Sequence, residues 1–442
     1  MISQSQVQTP FAVTAHRGAI SQTRPVFRWV VLTLIFSLLW FREFDSSDGL
    51  RSALYFEAWG GFRPVDLLVL GLLYLHLLWI LVTRQRLPKV PRMLKGPALL
   101  FLAALGISFF YGLYEQGTHV YFDWRNIFLG VGLAVVFAWW IKTPSELHEG
   151  VHIFCFVMGL QVLYILVRYA TGAHSVETTV VCFATPLYDG PKLSAAVLLA
   201  LFAFQFGPQE RSAVQRIWWA IVGCGAFLLV VLSFRRTTWA ELAIGVVILA
   251  ILQKKRRFAA FGLIAIVAAL VVSLGGERVY RRAESMNPFV EGEREYTNTN
   301  EDHINDVLDA FDQVKEHPIL GIGLGKTYPT PRLSGWKKES WEVHNGLLHV
   351  WLHYGLLGLV AYLWFHVGLF RWLGRLQGGR CDRRTQAFTQ VGLAYVVGAL
   401  LVTFGFSPWP YFALSTNVVI FFTIGSLLLL QPTLQSAQDS TK

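Results

Sequence analysis

Long apolar segments recur along almost the whole chain, and they constrain its fold more than any other feature of the sequence. The 442 residues are 54% hydrophobic and only 15% charged, which is more apolar side chain than one water-soluble core can hide. A membrane-spanning helix needs about 20 largely apolar residues, so the sequence predicts an all-α polytopic membrane protein. We expect about twelve transmembrane helices, at residues 25–41, 65–83, 97–114, 125–141, 150–170, 191–207, 217–234, 239–252, 258–274, 346–370, 386–406 and 413–430.

Basic residues are distributed unevenly between the predicted spans. Lys and Arg are concentrated in the links 84–96, 253–257 and 371–385. They are absent from the links 115–124, 171–190 and 407–412. Because cytoplasmic loops of membrane proteins carry an excess of Lys and Arg, both termini are predicted to be cytoplasmic. The same bias accounts for the net charge of +10, and no nucleic-acid partner is expected.

A long polar segment separates the ninth and tenth predicted spans, and this topology places it outside the cytoplasm. A loop of this length is usually functional or folded in its own right. The predicted organisation is a cytoplasmic N-terminal tail at 1–24, transmembrane helices 1–9 at 25–274, the extracytoplasmic loop at 275–345, transmembrane helices 10–12 at 346–430 and a cytoplasmic tail at 431–442.

Part of the extracytoplasmic loop is predicted to be an amphipathic helix. Its apolar residues repeat with helical spacing; they are Ile304, Val307, Leu308, Phe311 and Val314. Asn300 is expected to cap the start of this helix, and Pro318 to end it. The apolar stripe is expected to lie either on the membrane surface or against the helix bundle.

Two adjacent arginines, Arg235 and Arg236, lie in the short outer link between the seventh and eighth predicted spans. An arginine at this position either extends to the lipid headgroups or faces a cavity and binds an anion. The planar guanidinium group suits phosphate, because it forms two parallel hydrogen bonds with it. The residues alone leave both interpretations open.

Histidines cluster where the long loop enters the tenth span. His344 and Asn345 lie at this junction, and histidine suits proton transfer near neutral pH. His349 and His353 are four residues apart and so share a helix face. No nearby glutamate completes the pattern of a metalloprotease helix, and the four cysteines have no zinc-site spacing. No metal is therefore expected.

A glycine-rich segment, 321–327, superficially looks like a phosphate-binding loop. Its sequence is Gly-Ile-Gly-Leu-Gly-Lys-Thr. A Walker loop needs a further glycine where this chain has Leu320, and the predicted topology keeps the segment away from cytoplasmic ATP. The segment is therefore predicted to be a tight turn that follows the amphipathic helix.

In this order, the motifs resemble the O-antigen ligase and O-antigen polymerase superfamily of bacterial membrane glycosyltransferases. The matching pieces are Arg-x-x-Trp at Arg236–Trp239, His-Pro-Ile-Leu-Gly-Ile-Gly-Leu-Gly at 317–325, His-Asn-Gly-Leu-Leu at 344–348 and Gly-Leu-Leu-Gly at 355–358. The similarity is clear over about 230–365 and elsewhere extends only to the number of helices.

The resemblance implies transfer of glycan from an undecaprenyl-diphosphate carrier at the periplasmic face of the inner membrane, with no cofactor and no metal. The implied partners are this glycan donor, an acceptor hydroxyl and the surrounding membrane lipids. An O-antigen ligase would use lipid A-core as acceptor, whereas an O-antigen or exopolysaccharide polymerase would use the growing glycan. A polytopic transporter or flippase is a more distant alternative, but the chain lacks the two similar halves typical of transporters.

The resemblance also implies roles for particular residues. His344 and Arg236 would be the catalytic residues, with Arg236 on the diphosphate. Further diphosphate contacts would come from Arg235, Arg278, Arg281 and Arg282. Relatives often carry an arginine near the start of the loop helix, where this chain reads Asn-Glu-Asp-His, so His303 or Arg294 would substitute for it as a supporting residue. Asn345, next to His344, is a further expected supporting residue.

Overall fold

The computed structural model describes residues 26–37, 64–83, 90–115, 120–170, 190–206, 213–232, 236–253, 294–332, 339–341, 343–378, 383–405, 420 and 422–428. These residues are almost entirely helical. The helices are α1 (Val26–Ser37), α2 (Pro64–Val82), α3 (Arg92–Tyr114), α4 (Val120–Trp140), α5 (Pro144–Ala170), α6 (Gly190–Phe206), α7 (Ala213–Leu232), α8 (Arg236–Leu252), α9 (Arg294–Glu316), α10 (Gly346–Gly378), α11 (Arg383–Gly405) and α12 (422–428). Two short strands, β1 (Tyr328–Pro329) and β2 (Glu339–Ser340), pair antiparallel.

Among the described residues, five helices are long and apolar enough to cross a membrane: Arg92–Tyr114, Pro144–Val167, Ala213–Val231, Gly346–Gln377 and Arg384–Thr403. Five shorter apolar helices accompany them: Val26–Ser37, Leu70–Val82, Ile127–Trp140, Leu193–Ala203 and Thr237–Leu252. The chain is therefore an all-α, multi-pass membrane protein. The number of twelve crossings stays a prediction.

The described helices coincide with the predicted apolar spans, apart from two regions. Span 258–274 lies outside the described residues, and of span 413–430 only residues 420 and 422–428 are described. The short span predicted at 239–252 begins earlier, at Arg236, and so gains one turn. The predicted terminal tails, 1–24 and 431–442, also lie outside the described residues.

Helices α3 and α10 run antiparallel and pack closely. A Cβ on Gly368 of α10 would lie 2.6 Å from the carbonyl oxygen of Met93, near the start of α3. Towards the other end, the Ser108 hydroxyl of α3 donates a hydrogen bond to the carbonyl of His353. Small residues allow membrane helices to approach in this way. The first turns of α10 therefore lie beside the end of α3.

Helices α8 and α11 form a second antiparallel pair. A Cβ on Gly398 would lie 2.7 Å from the carbonyl oxygen of Glu241, and a Cβ on Gly245 would lie 3.5 Å from that of Ala394. The residue that comes first in α8 meets the residue that comes later in α11, so the two helices run in opposite directions. The start of α8, at Arg236, therefore lies beside the end of α11.

Towards its end, α11 in turn packs against α10. Leu400 of α11 shares one buried cluster with Val350 and Tyr354 of α10 and with Leu324 of the glycine-rich segment. Helices α8 and α10 therefore begin at the same end of the bundle. This end carries Arg236 and, just before α10, His344.

An ion-pair cluster joins the starts of α1 and α5. Arg28 contacts the carboxylates of Glu146, at 2.6 Å, and of Glu149. Both helix starts were predicted to be cytoplasmic, and the cluster places them together. Which face of the membrane they occupy stays a prediction.

The predicted amphipathic helix is present as α9, with two differences. It ends at Glu316, before Pro318, as predicted, but it begins at Arg294. Asn300 therefore lies inside the helix, and the prediction that it caps the start is wrong. The apolar stripe is also divided, because Val314 is buried whereas Ile304 and Phe311 are exposed.

Candidate active site

The centre of the site is a hydrogen-bonded pair formed by His344 and Asp306. The Nδ1 atom of His344 lies 2.8 Å from Oδ2 of Asp306, and the backbone N–H of His344 donates to the same oxygen at 2.8 Å. Asp306 is almost completely buried, whereas the His344 side chain is 39% exposed. The imidazole is therefore held from its inner side and remains accessible from outside.

This contact determines which nitrogen of His344 carries a proton. A carboxylate oxygen only accepts hydrogen bonds, so Nδ1 carries the proton that it donates to Asp306. Nε2 of a neutral imidazole is then the basic nitrogen. His344 is thereby prepared to accept a proton at Nε2, while Asp306 stabilises the imidazolium that forms.

Tyr328 completes the environment of the Asp306 carboxylate. Its hydroxyl donates to Oδ1 of Asp306 at 2.7 Å. Burial alone would raise the pKa of Asp306, but the hydrogen bonds from His344 and Tyr328 outweigh this effect and hold the pKa below its ordinary value. Burial and the neighbouring Asp306 charge raise the pKa of Tyr328. Asp306 is therefore ionised and Tyr328 neutral at physiological pH.

The fold brings Asp306 to His344 by packing α9 against the first turns of α10. Ala310 and Val314 of α9 share a buried cluster with Leu348 and Leu352 of α10. Asp306 lies one turn before Ala310 on the same side of α9, so it reaches the residues that precede α10. Asn345 accepts a hydrogen bond from the N–H of Leu348 at 3.0 Å, which fixes the start of α10 directly after His344.

A second acid on the inner face of α9 fixes the segment that follows Tyr328. Arg332 donates to Oδ1 of the buried Asp309 at 2.6 Å and to the exposed Asp312 at 2.6 Å. The backbone N–H of Arg332 also donates to Asp309, at 3.1 Å. Because β1 starts at Tyr328, these contacts hold the tyrosine against Asp306.

The glycine-rich segment is a tight turn, as predicted, and it serves as a structural joint. Its three glycines, Gly321, Gly323 and Gly325, all have positive φ angles, which only glycine adopts without strain. The N–H of Ile322 donates to the carbonyl of Leu352 in α10 at 2.7 Å, and the N–H of Leu324 donates to Ser108 in α3 at 3.1 Å. The turn therefore binds protein backbone on both sides.

His353 connects this turn to the strand that leads to His344. Its Nδ1 lies 2.9 Å from the carbonyl oxygen of Gly323, and its Nε2 lies 2.9 Å from that of Trp341. The rings of His349 and His353 lie 4.4 Å apart, so the two histidines do share a helix face. Both nitrogens of His353 already contact backbone oxygen, which assigns this residue a structural role.

Within the described residues, no group of three or more His, Cys, Asp or Glu side chains could hold a metal ion. A zinc site needs at least three protein ligands, and the His349–His353 pair supplies at most two. The expectation that the chain works without a metal or a cofactor stays a prediction.

The other predicted site residues fall into two groups. His303 lies beside His344, with ring centroids 4.0 Å apart, and Asn345 caps α10. Arg235, Arg278, Arg281 and Arg282 lie outside the described residues, as do the side chains of Arg236 and Arg294. The backbone of Arg236 begins α8 at the His344 end of the bundle.

Asp306 and Tyr328 were not among the predicted site residues. The one available signal is the spacing of Asp306 and Asp309, which places two acids on one side of α9 together with Ala310. On an isolated amphipathic helix this side would be the solvated one. Only the packing of α9 against α10 buries it.

Comparison with known protein families gives one match. Residues 221–363 match the Wzy_C family model, described as O-antigen ligase. The matched region starts within α7 and ends within α10, so it contains Arg236, the whole of α9 and His344. No curated protein matches the chain significantly. The family indicates, in general terms, a membrane glycosyltransferase that uses a lipid-linked glycan and an acceptor. This match, over about a third of the chain, supports membership of the O-antigen ligase and polymerase superfamily.

Proposed function

We propose that the protein transfers glycan from an undecaprenyl-diphosphate carrier to an acceptor hydroxyl on the periplasmic face of the inner membrane. The observation that carries this proposal is the Asp306–His344 hydrogen bond, at the end of the bundle where α8 begins with Arg236. A base that is oriented by a buried carboxylate suits the deprotonation of a hydroxyl group.

In the proposed reaction, the acceptor oxygen attacks the anomeric carbon of the donor glycan. The bond between that carbon and the diphosphate oxygen breaks, and undecaprenyl diphosphate leaves. Nε2 of His344 takes the proton of the acceptor hydroxyl. General-base help of this kind accelerates a reaction by about 10²–10⁴-fold.

The leaving diphosphate needs positive charge, and we assign this role to Arg236. The guanidinium group binds phosphate through two parallel hydrogen bonds, and burial near the membrane strengthens such contacts. Arg235, Arg278, Arg281 and Arg282 are proposed to add further diphosphate contacts. Arg294 begins α9, whereas His303 lies nine residues further along, with its ring beside that of His344. Either residue is proposed to take the place of the arginine that relatives often carry.

Within this class, we propose an O-antigen ligase whose acceptor is lipid A-core. An O-antigen or exopolysaccharide polymerase would use the same donor chemistry with the growing glycan as acceptor. The two activities leave different products in a strain that lacks the protein. Loss of a ligase leaves long glycan on the carrier lipid, whereas loss of a polymerase leaves single repeat units on the lipid A-core.

The experiment is therefore electrophoresis of lipopolysaccharide from a strain that lacks the chain and is complemented with variants. Wild type should restore the full ladder, and His344→Ala and Arg236→Ala should not. Matched controls are His317→Ala and Arg371→Ala, two exposed residues outside the site, which should restore the ladder at equal membrane abundance. A full ladder with both site variants would refute the proposal.

A further inference from the structure

Helix α9 presents an exposed stripe of large apolar side chains. Ile304 is 60% exposed, Leu308 45% and Phe311 42%. At about 100° per residue these three side chains lie within an arc of roughly 60°. The opposite side of the helix buries Asp306 and Asp309. Helix α9 therefore buries two acids, Asp306 and Asp309, on the side that faces the protein and exposes three large apolar side chains on the opposite side.

The stripe continues into the surface of α10 that faces lipid. The turn after α9 exposes Ile319 and Leu320, and the carbonyl of Ile319 accepts a hydrogen bond from the N–H of Leu356 at 3.0 Å. From Leu356 onwards, α10 exposes its own apolar side chains, including Leu357 and Val360. One apolar surface therefore runs from the membrane-crossing part of α10 onto α9.

A break in α10 marks the point where the two parts of this surface meet. Gly355 has a non-helical backbone conformation within α10. The residues after it, 356–378, span about 34 Å at 1.5 Å per residue, which is enough to cross the hydrocarbon core of a bilayer. The residues before it pack against α9. The Ile319–Leu356 contact thus lies near the outer boundary of the membrane.

Lys315 places a cation within the stripe on α9. Nζ of Lys315 lies 4.7 Å over the ring of Phe311 and 2.8 Å from the exposed Asp312. A lysine beside exposed aromatic and aliphatic residues is typical of helices that lie in the membrane interface, where the ammonium group reaches lipid phosphate. In water, the same apolar side chains would form an exposed hydrophobic patch, which soluble proteins usually cover with a binding partner.

We propose that the stripe formed by Ile304, Leu308, Phe311 and Lys315 is inserted in the outer-leaflet interface of the membrane. Helix α9 is then an interfacial helix, and each of its two faces has a separate role. One face binds phospholipid, and the other holds Asp306 against His344. The lipid contact follows from the exposed surface that α9 shares with α10, whereas its consequence for glycan transfer rests on the proposed function.

The test uses the full chain in nanodiscs that contain a phosphatidylcholine and phosphatidylglycerol bilayer. The four native cysteines are replaced by serine, and single cysteines at Leu308, Phe311 and Glu316 are labelled in turn with an environment-sensitive fluorophore. Glu316 is exposed on the polar side of α9 and serves as the matched control. Labels at Leu308 and Phe311 should show blue-shifted emission and quenching by lipids that carry a nitroxide near the headgroup. The label at Glu316 should be quenched by aqueous iodide.

Two results would overturn the proposal. Iodide quenching at all three positions would place the stripe in water. Shielding of Leu308 and Phe311 from both quenchers would mean that protein covers it, either another segment of this chain or a second copy.

A pair of variants separates this inference from the proposed function. Leu308→Asp combined with Phe311→Asp should reduce lipid quenching at a reporter cysteine placed at Ile304, while the protein stays folded in detergent. His344→Ala should leave that quenching unchanged. Unchanged quenching with the double aspartate variant would contradict the lipid contact, whatever the glycan assay shows.

Discussion

The imidazole of His344 and the carboxylate of Asp306 lie 2.8 Å apart, although 38 residues separate them along the chain. Oδ2 of Asp306 accepts hydrogen bonds from the imidazole and the backbone N–H of His344, and Oδ1 accepts one from the hydroxyl of Tyr328. This arrangement leaves Nε2 of His344 available on the exposed side of the ring. In the proposed reaction Asp306 acts through His344, which makes Asp306 a positioning residue.

Replacing Asp306 by asparagine should reduce glycan transfer strongly. The amide can present its N–H₂ group to Nδ1, which favours the wrong tautomer of His344. We expect a loss within the range of about 10²–10⁴-fold that general-base catalysis contributes. The rate of transfer in membrane vesicles at several pH values measures this effect. Glu316→Gln, at an exposed acid on the same helix, is the control and should retain the wild-type rate. An equal loss in both variants would argue against positioning.

The stability of the protein should depend on the ionisation of Asp306. The pKa of this carboxyl is lower in the folded protein than its ordinary value near 3.8. Folding therefore favours the ionised form, and this contribution is fully present above the ordinary pKa. It is lost as the pH falls through the lowered, folded-state pKa. Thermal unfolding in detergent between pH 6 and about pH 3 should show a steeper loss for wild type than for Asp306→Asn, and parallel curves would contradict the assignment.

Replacing Tyr328 by phenylalanine should weaken the same network more mildly. The variant loses the 2.7 Å hydrogen bond to Asp306 and leaves a buried carboxylate oxygen with one partner fewer. Such a loss costs about 1–3 kcal/mol in the free energy of unfolding. Transfer should fall less than with Asp306→Asn, because Nδ1 of His344 keeps its partner. Tyr114→Phe, at an 81% exposed tyrosine, should leave both quantities unchanged.

Gly355 should tolerate no side chain. Its φ angle is +67°, and a Cβ would lie 2.1 Å from the carbonyl oxygen of Ile319. With ψ at −174°, this is a conformation that essentially only glycine adopts, and it costs another residue about 1–3 kcal/mol; the clash adds to this cost. Gly355→Ala should therefore lower the unfolding temperature of the purified protein. Gly374→Ala in the same helix meets nothing within 4 Å and should stabilise the protein by about 0.5–1 kcal/mol. Equal unfolding temperatures would show that the break at Gly355 is absent.

The membrane helices could be predicted from the sequence because each needs only a continuous apolar run, which is a local property. The periodicity of Ile304 and Phe311 likewise predicted α9. Its start could not be predicted, because the polar residues from Arg294 to Asn300 carry no apolar period, and Asn300 mimics a cap.

Site residues could be predicted from the sequence only where the residue type and its position by themselves indicate a chemical role. His344 was identified from its position and its resemblance to a family motif. Asp306 was not, because an acid on an amphipathic helix is ordinarily solvated, and its burial depends on the contact between α9 and α10. The break at Gly355 was also missed, since Gly-Leu-Leu-Gly reads as continuous helix until the carbonyl of Ile319 is seen to approach it.

The most direct test of the account is the steady-state kinetics of glycan transfer by the purified chain with a polyprenyl-diphosphate-linked donor. His344→Ala should lower kcat by about 10²–10⁴-fold with little change in the KM for the donor. Arg236→Ala should weaken donor binding as well as turnover. A His344→Ala variant that is folded and keeps the wild-type kcat would contradict the central claim.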